Sequence, residues 1–177
     1  MTPSDLLDHL AQLGLRTETH RHEPVFTVAQ SAPVKAAIPG AHSKNLFLKD
    51  RRGRLFLVVA KDDTRIDLKT LHEAIGASGR LSFGSAELLR EVLGVEPGSV
   101  TPFAAANDRE CRVAVILDAE LMRHGRLNFH PLVNTMTTGL SPADLLAFLR
   151  STGHEPAVVA LPAPPASDCM ASGGHPS

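Results

Sequence analysis

Two apolar runs joined by a short turn constrain the fold of this chain most strongly. The second run, Leu55 to Ala60, is apolar at every position, so both faces of the strand that it predicts must be covered. The first run, Ser43 to Lys49, is linked to the second by the turn sequence Asp50-Arg51-Arg52-Gly53. Together they predict a hairpin whose second strand lies in the centre of a sheet.

The other elements follow from capping residues and apolar spacing. Helices are predicted over residues 6–13, after the capping box at Thr27, over 68–75, after Ser85 and after Ser141, and strands over 16–22, 80–83, 111–117, 127–129, 133–138 and 156–161. Because helices and strands do not alternate regularly, we expect a mixed α+β domain with a largely antiparallel, curved and barrel-like sheet. A doubly wound fold is the alternative, although no glycine-rich phosphate loop supports it.

Length and composition predict one folded domain over residues 1–161 and a disordered tail over 162–177, which is rich in Pro, Ala, Ser and Gly. The net charge of −1 gives no overall basic field, so a nucleic-acid contact must be local, at an end or a loop. Cys111 and Cys169 lack metal-ligand spacing, which favours a reducing, cytoplasmic setting. We see no signal peptide and no apolar run long enough to span a membrane.

The common hydrolase and nucleotide-binding motifs are missing, so candidate site residues are judged by context. His20 and His22 alternate on a predicted edge strand and are expected to face solvent, as is His154 after a helix stop. Asp62 and Asp63 follow the central strand and could serve as acid-base groups, but a polar turn explains them more simply.

Lys44 and His130 are polar residues in apolar surroundings. Strand alternation places Lys44 on the same face as Leu46 and Leu48, where an ammonium is costly unless an anion or a carbonyl group receives it. The alternative is a lysine that reaches water from the end of the strand. His130 lies between Phe129 and Pro131, either as a hydrogen-bonded core residue or as a positioned polar group in a cleft.

Four successive segments of the chain resemble the YbaK/ProX family of aminoacyl-tRNA deacylases, which are relatives of the editing domain of bacterial prolyl-tRNA synthetases. The resemblance covers about residues 3–155. Within the family, the segments around His130-Pro131 and Asn134 resemble the alanine-specific free-standing editors, also called ProXp-ala or PrdX-like, more than the cysteine-specific branch. The segments are His22-Glu23-Pro24-Val25-Phe26-Thr27, Lys44-Asn45-Leu46-Phe47-Leu48, Gly98-Ser99-Val100-Thr101-Pro102-Phe103, and Phe129-His130-Pro131-Leu132-Val133-Asn134 followed by Thr137-Thr138.

The resemblance implies the editing-domain fold and hydrolysis of the ester that joins a wrong amino acid to tRNA-Pro, most simply Ala-tRNA-Pro. Lys44 matches the family's essential lysine, with Asn45 beside it, and His130 and Asn134 match pocket positions. The segment Gly98, Ser99, Val100, Thr101, Pro102 and Phe103 matches the loop that lines the aminoacyl pocket. The implied partners are the acceptor 3′ end of mischarged tRNA-Pro and prolyl-tRNA synthetase, with no metal, no cofactor, no DNA and no membrane.

These residues suit ester hydrolysis. Backbone N–H groups of a glycine loop can stabilise the oxyanion, Lys44 can hold the terminal phosphate or ribose, and His130 can position or activate water. A small pocket would accept Ala and exclude the bulkier Pro. Two other interpretations stay open: a Cys-tRNA-Pro deacylase of the same family, and a non-catalytic module that binds nucleic acid or the aminoacyl end.

Overall fold

A computed structural model describes residues 1–25 and 27–165. The predicted tail therefore lies outside the described residues from position 166 onward, together with Cys169. The helices are α1 Pro3–Gln12, α2 Val28–Ala37, α3 Leu71–Ile75, α4 Ala86–Leu93 and α5 Pro142–Ser151. The strands are β1 Glu18–Arg21, β2 Ala41–Lys49, β3 Leu55–Lys61, β4 Ser82–Phe83, β5 Val113–Asp118, β6 Leu127–Phe129, β7 Met136–Leu140 and β8 Ala157–Val159.

The eight strands form one mixed sheet that does not close into a barrel. Its order is β1-β7-β6-β2-β3-β5-β8, with the short β4 paired to β2. The predicted hairpin is confirmed, because β2 and β3 pair antiparallel from Ser43 opposite Lys61 to Lys49 opposite Leu55. Pairings β2–β6, β3–β5 and β5–β8 are parallel, so the sheet is more mixed than the sequence indicates.

The central strand β3 separates two apolar clusters, as its composition predicts. Leu55, Leu57 and Val59 belong to the larger cluster, whereas Phe56 and Val58 belong to the smaller one on the opposite face. All five side chains are at most 5% exposed, and each contributes roughly 1.5–3 kcal/mol by its burial. Helices on both faces therefore leave little room for a polar site except near the ends of the strands.

Polar side chains cap the N-termini of three helices that pack on the sheet. Thr27 forms a capping box with Gln30 at the start of α2, and Ser85 and Ser141 accept backbone N–H groups at the starts of α4 and α5. Across the described part of the chain, no helix combines the length and apolar composition required to cross a bilayer.

Two predictions about local structure are corrected. The segment from Gly98 to Phe103 is neither an open loop nor a strand but parts of two 3-10 helices, Pro97–Ser99 and Pro102–Asn107. A proline begins each of them, because its fixed φ suits a first helical turn. His154 is not at the surface: it is 4% exposed, and its Nε2 lies 2.9 Å from Oδ2 of the buried Asp108.

Candidate functional site

A cleft of about 70 Å³ opens between α2, the first half of β2 and the β6–β7 connection. Strands β2, β6 and β7, the turn after β6 and helix α2 all contribute polar side chains, and the apolar wall comes from Val34 of α2, Phe129 and Val25 before α2. The lining residues are Val25, Ser31, Val34, Lys35, His42, Ser43, Asn45, Asn128, Phe129, His130 and Thr137. The cleft is small beside pockets of several hundred Å³ that hold typical ligands, so it suits a small group.

A tight turn after β6 places His130 in the cleft. The Leu132 N–H donates to the His130 carbonyl oxygen at 2.9 Å across Pro131, and Leu132 takes a φ of 72°, which is unfavourable for a residue with a side chain. Strain of this kind persists where the surroundings impose it and is common at functional sites. The turn therefore supports the interpretation of His130 as a positioned group.

One hydrogen bond of the His130 ring defines its neutral tautomer. Its Nδ1 lies 3.0 Å from the Met136 carbonyl oxygen, which can only accept, so Nδ1 carries the proton and Nε2 keeps its lone pair. Burial lowers the pKa of His130, and repulsion by His22 and His42 lowers it further, against the opposing effect of the Met136 bond. His130 is therefore a neutral proton acceptor near pH 7.

Two asparagines in the cleft carry buried amide oxygens without partners. Asn128 is 2% exposed and donates from Nδ2 to the carbonyl oxygens of Pro39 and Ala41 at 3.0 and 3.2 Å. Asn45 donates weakly to Ser43 Oγ at 3.4 Å. The Oδ1 atoms of both asparagines accept nothing from the protein, and buried acceptors of this kind favour a ligand that brings its own donors.

Lys44 and Asn45 lie on opposite faces of β2. The Lys44 ammonium donates to the Thr64 carbonyl oxygen on the face that carries the smaller apolar cluster. This carbonyl is the kind of partner that an inward lysine requires, and Lys44 remains half-buried. The structure therefore brings Asn45 and His130 together in the cleft but directs Lys44 away from it.

The segment from Gly98 to Phe103, which the family resemblance predicts to line the pocket, reaches the cleft only through the packing of Phe103 in the core. None of the residues from Gly98 to Phe103 lines the cavity; Phe103 packs edge-on against Phe129 with ring centroids 5.8 Å apart. The Ser99 and Phe103 amides already donate within the loop, to the Glu96 carbonyl and to Thr101 Oγ1, which reduces the amides that the loop can offer to an oxyanion. Val100 packs against the larger cluster, and Pro102 is buried.

Asn134 lies next to the cleft and not in its lining. Its Nδ2 is 3.5 Å from the carbonyl oxygen of Val25, a lining residue, so it ties the β6–β7 connection to the segment before α2.

Sequence reasoning missed three residues of this site. Asn128 stands two positions before His130, and alternation along β6 would have identified it. His42 donates from Nε2 to the Ile38 carbonyl oxygen at 3.0 Å. His22 is half-buried and not solvated: it accepts from Thr137 Oγ1 at 2.8 Å, and its ring centroid is 6.3 Å from that of His130.

Acidic residues form a separate group outside the cleft lining. Asp62 pairs with the cleft residue Lys35 at 2.9 Å, and Asp63 pairs with Lys61 at 2.7 Å, so both carboxylates are already engaged by cations. Within residues 1–25 and 27–165, His, Cys, Asp and Glu side chains do not gather in groups of three that could hold a metal ion.

Comparison with known proteins shows the family of this chain. A family model described as the aminoacyl-tRNA editing domain matches residues 22–148. Prolyl-tRNA synthetase associated domain-containing protein 1 of Bos taurus is 40% identical over 158 residues, which cover 87% of this chain and 92% of that protein. The prolyl-tRNA editing protein ProX of Acetoanaerobium sticklandii is 36% identical over 146 residues, covering 82% and 88%.

A solved structure of a candidate trans-editing enzyme for prolyl-tRNA synthetase has the same fold. Its TM-score to this chain is 0.68 at 20% identity, with 92% of this chain and 99% of that chain covered. The family match and the editing-protein relative thus define an aminoacyl-tRNA deacylase, a hydrolase of aminoacyl esters. The chain belongs to the aminoacyl-tRNA editing domain family, the YbaK/ProX family.

Proposed function

We propose that this chain is a trans-editing hydrolase that deacylates mischarged tRNA-Pro, with Ala-tRNA-Pro as its preferred substrate. The names of the two relatives support the prolyl-tRNA part of the proposal. The small volume of the cleft, about 70 Å³, is the observation that carries the preference for Ala. An apolar pocket discriminates poorly against smaller groups, so an editing site gains most by excluding the larger correct residue.

The unpaired amide oxygens of Asn45 and Asn128 would bind the α-ammonium group of the aminoacyl ester. An ammonium group offers three N–H donors and no acceptor, so buried amide oxygens complement it. Val25, Val34 and Phe129 supply apolar surface for the methyl group of alanine. Proline has a bulky ring where alanine has a methyl group, and its ammonium has one fewer N–H donor. It would therefore fit this arrangement less well.

The reaction needs a water molecule and a proton acceptor. Water adds to the ester carbonyl carbon while its proton passes to Nε2 of neutral His130; the C–O bond to the ribose then breaks, and the ribose oxygen takes up the proton. Lys44 would hold the terminal phosphate or ribose with the two ammonium protons that Thr64 does not use. The resemblance assigns the oxyanion to a backbone amide of the segment Gly98–Pro102, but these residues do not line the cleft, so the proposed mechanism gives them no contact with the ester.

Parallel deacylation rates on tRNA-Pro charged with Ala, Ser, Cys and Pro test this proposal. We expect Ala-tRNA-Pro to react fastest, Pro-tRNA-Pro to be spared, and His130→Ala to lower the rate on Ala-tRNA-Pro. A clear preference for Cys would assign the chain to the cysteine branch and refute the Ala specificity. Binding of tRNA-Pro without hydrolysis of any ester would identify a non-catalytic module.

We also propose prolyl-tRNA synthetase as a protein partner, since the Bos taurus relative is named for an association with it. Fluorescence anisotropy of the labelled chain, titrated with the synthetase in the presence and absence of tRNA-Pro, tests the contact. An unchanged anisotropy in both titrations would refute it.

A further inference from the structure

Thr137 of β7 lines the cleft but has no part in the mechanism proposed above. Strands β6 and β7 are antiparallel, with Phe129 opposite Thr138. Extending this register by one pair puts Thr137 opposite His130, on the face of the sheet that carries Asn128. The Thr137 side chain is 4% exposed, so its hydroxyl group must find its hydrogen-bond partners inside the cleft.

The ring of His22 fixes the direction of the Thr137 hydroxyl group. The His22 N–H donates to the Thr135 carbonyl oxygen at 2.9 Å, which holds the end of β1 beside β7. Nδ1 of His22 lies 2.8 Å from the Glu23 carbonyl oxygen, which can only accept, so Nδ1 carries the proton of the neutral ring. Nε2 then has a lone pair, and Thr137 Oγ1, 2.8 Å away, donates its proton to it.

The Thr137 hydroxyl group is therefore an acceptor toward the cleft. A threonine hydroxyl has one proton and two lone pairs, and His22 takes the proton. Within residues 1–25 and 27–165, Thr137 Oγ1 receives no hydrogen bond, so its lone pairs stay available. The cleft thus holds a third acceptor beside the unpaired amide oxygens of Asn45 and Asn128.

The neighbouring threonine shows what His22 contributes. Thr138 faces the opposite side of β7 and is fully buried, and its hydroxyl lies 2.8 Å from the Thr19 hydroxyl. Either of these two hydroxyls can be the donor, so the direction of this bond is not fixed. The carbonyl oxygen of Glu23, acting through the His22 ring, leaves Thr137 no such choice.

Three acceptors in one small cleft complement a primary ammonium group. This group has three N–H donors and no acceptor, and its charge strengthens each hydrogen bond. The Lys35 side chain, which also lines the cleft, is held by Asp62 at 2.9 Å. The cation that these acceptors suit is therefore one that the ligand brings.

We propose that Thr137 accepts a hydrogen bond from the α-ammonium group of the aminoacyl ester, and that His22 is a positioning residue that keeps the Thr137 hydroxyl in its accepting orientation. This proposal rests on the proposed deacylase function, since it assumes that the aminoacyl end occupies the cleft. Thr137 thereby determines specificity, because it favours esters with a free α-ammonium group over acyl esters that lack one.

The test compares two threonine variants on two esters. Thr137→Val keeps the shape of the side chain and removes the hydroxyl, and Thr138→Val is the matched control at the next position of the same strand. Each is assayed for kcat and KM on Ala-tRNA-Pro and on propionyl-tRNA-Pro, which has a hydrogen atom in place of the ammonium group. Thermal melting gives the folded fraction, so that rates are compared per folded molecule.

We expect Thr137→Val to lose roughly 10- to 100-fold in kcat/KM on Ala-tRNA-Pro and to match the wild type on propionyl-tRNA-Pro. The loss should appear mainly in KM, because the ammonium group is present in the bound substrate as well as in the transition state. Thr138→Val should match the wild type on both esters.

Two replacements of His22 test its positioning role. His22→Leu removes the acceptor of the Thr137 proton, whereas His22→Gln keeps a side-chain oxygen of similar reach. The readout is the ratio of kcat/KM on the two esters, because a disturbance of His130, whose ring centroid is 6.3 Å away, would alter both esters alike. His22→Leu should lower this ratio severalfold and His22→Gln should restore most of it. Adding His22→Leu to Thr137→Val should change the ratio no further, because His22 acts through the hydroxyl.

Binding of stable amide analogues gives a second measurement that needs no hydrolysis. The probes are 3′-alanylamino-3′-deoxyadenosine and 3′-propionylamino-3′-deoxyadenosine, titrated into the wild type and Thr137→Val and followed by NMR. The wild type should bind the alanyl compound more tightly, and Thr137→Val should lose most of this difference.

An equal loss on both esters for Thr137→Val, or no loss on either, would overturn the role of Thr137. Multiplicative effects of His22→Leu and Thr137→Val on the ratio would overturn the positioning role of His22. If the wild type hydrolyses neither ester, the deacylase function itself fails, and the two amide analogues then decide whether Thr137 binds an ammonium group.

Discussion

Replacing Asn45 by alanine should separate recognition of the substrate from stability of the fold. The Oδ1 atom of Asn45 is buried without a partner, and its Nδ2 makes one long bond, 3.4 Å, to Ser43 Oγ. An unsatisfied buried acceptor costs about 1–3 kcal/mol, whereas the long bond contributes less than a typical hydrogen bond. Asn45→Ala should therefore leave the free energy of unfolding unchanged or raise it by about 1 kcal/mol.

The same variant should lose activity. A hydrogen bond from the α-ammonium group to the Asn45 oxygen has a charged donor and is worth about 1.5–3 kcal/mol. Since 1.4 kcal/mol corresponds to tenfold, kcat/KM on Ala-tRNA-Pro should fall roughly 10- to 150-fold. Urea unfolding and single-turnover deacylation measure the two quantities on the same preparation.

A modified substrate identifies the group that Asn45 binds. N-acetyl-Ala-tRNA-Pro has no ammonium group, so acetylation and the Asn45→Ala substitution should remove the same interaction, and their combined effect should be smaller than the product of the separate effects. Ser43→Ala is the comparison variant in the same cleft, because it removes the acceptor of the long Asn45 Nδ2 bond and keeps the Asn45 oxygen. Fully multiplicative effects of acetylation and Asn45→Ala would refute the reasoning.

Three further substitutions test other parts of the structure. Lys44→Ala should reduce deacylation by about 100-fold or more with little loss of stability, since it gives up one bond to the Thr64 carbonyl; normal turnover by the folded variant would exclude the predicted role. Because the pKa of His130 is lowered from its ordinary 6.5, the wild-type rate should fall only when the pH drops below 6.5 and the ring becomes protonated, and His130→Ala should remove this inflection. Asp108→Ala leaves the His154 ring and the backbone N–H groups of Arg112 and Val113 without their acceptor and should lower the free energy of unfolding by about 3–5 kcal/mol in chemical denaturation, while the rate per folded molecule stays unchanged.

The fold could be predicted where the chain carries strong local signals. The composition of β3 determines its central position, and the caps at Thr27, Ser85 and Ser141 mark the starts of three helices. The parallel pairing of β3 with β5 depends on contacts between distant segments, and no local pattern reports it. The sequence therefore indicates which elements form more reliably than which neighbours they pair with.

The end of the β6–β7 connection illustrates a second limit of prediction from the sequence, namely backbone conformations that distant residues impose. The sequence predicts a strand over residues 133–138, but β7 begins at Met136 because the turn through Leu132 uses the preceding residues. The positive φ of Leu132 is imposed by the surrounding residues. Neither the secondary-structure propensity of leucine nor its spacing in the sequence could indicate this conformation. The position of His130 depends on this same turn, so the cleft could be suspected from the sequence but not assembled from it.

The alternation along β2 also explains why donor and acceptor groups are kept apart at the site. If Lys44 pointed into the cleft, its ammonium could satisfy the free oxygen of Asn45, and the site would lose one of its two unpaired amide acceptors. Strand geometry directs the two side chains to opposite faces, so the Lys44 ammonium finds the Thr64 carbonyl and the Asn45 oxygen stays unpaired. An aminoacyl-tRNA end has the complementary arrangement, a cation on the amino acid side of the ester and an anion on the RNA side. Under the proposed function, Asn45 and Lys44 would bind the two sides of the ester from opposite faces of β2 without neutralising each other.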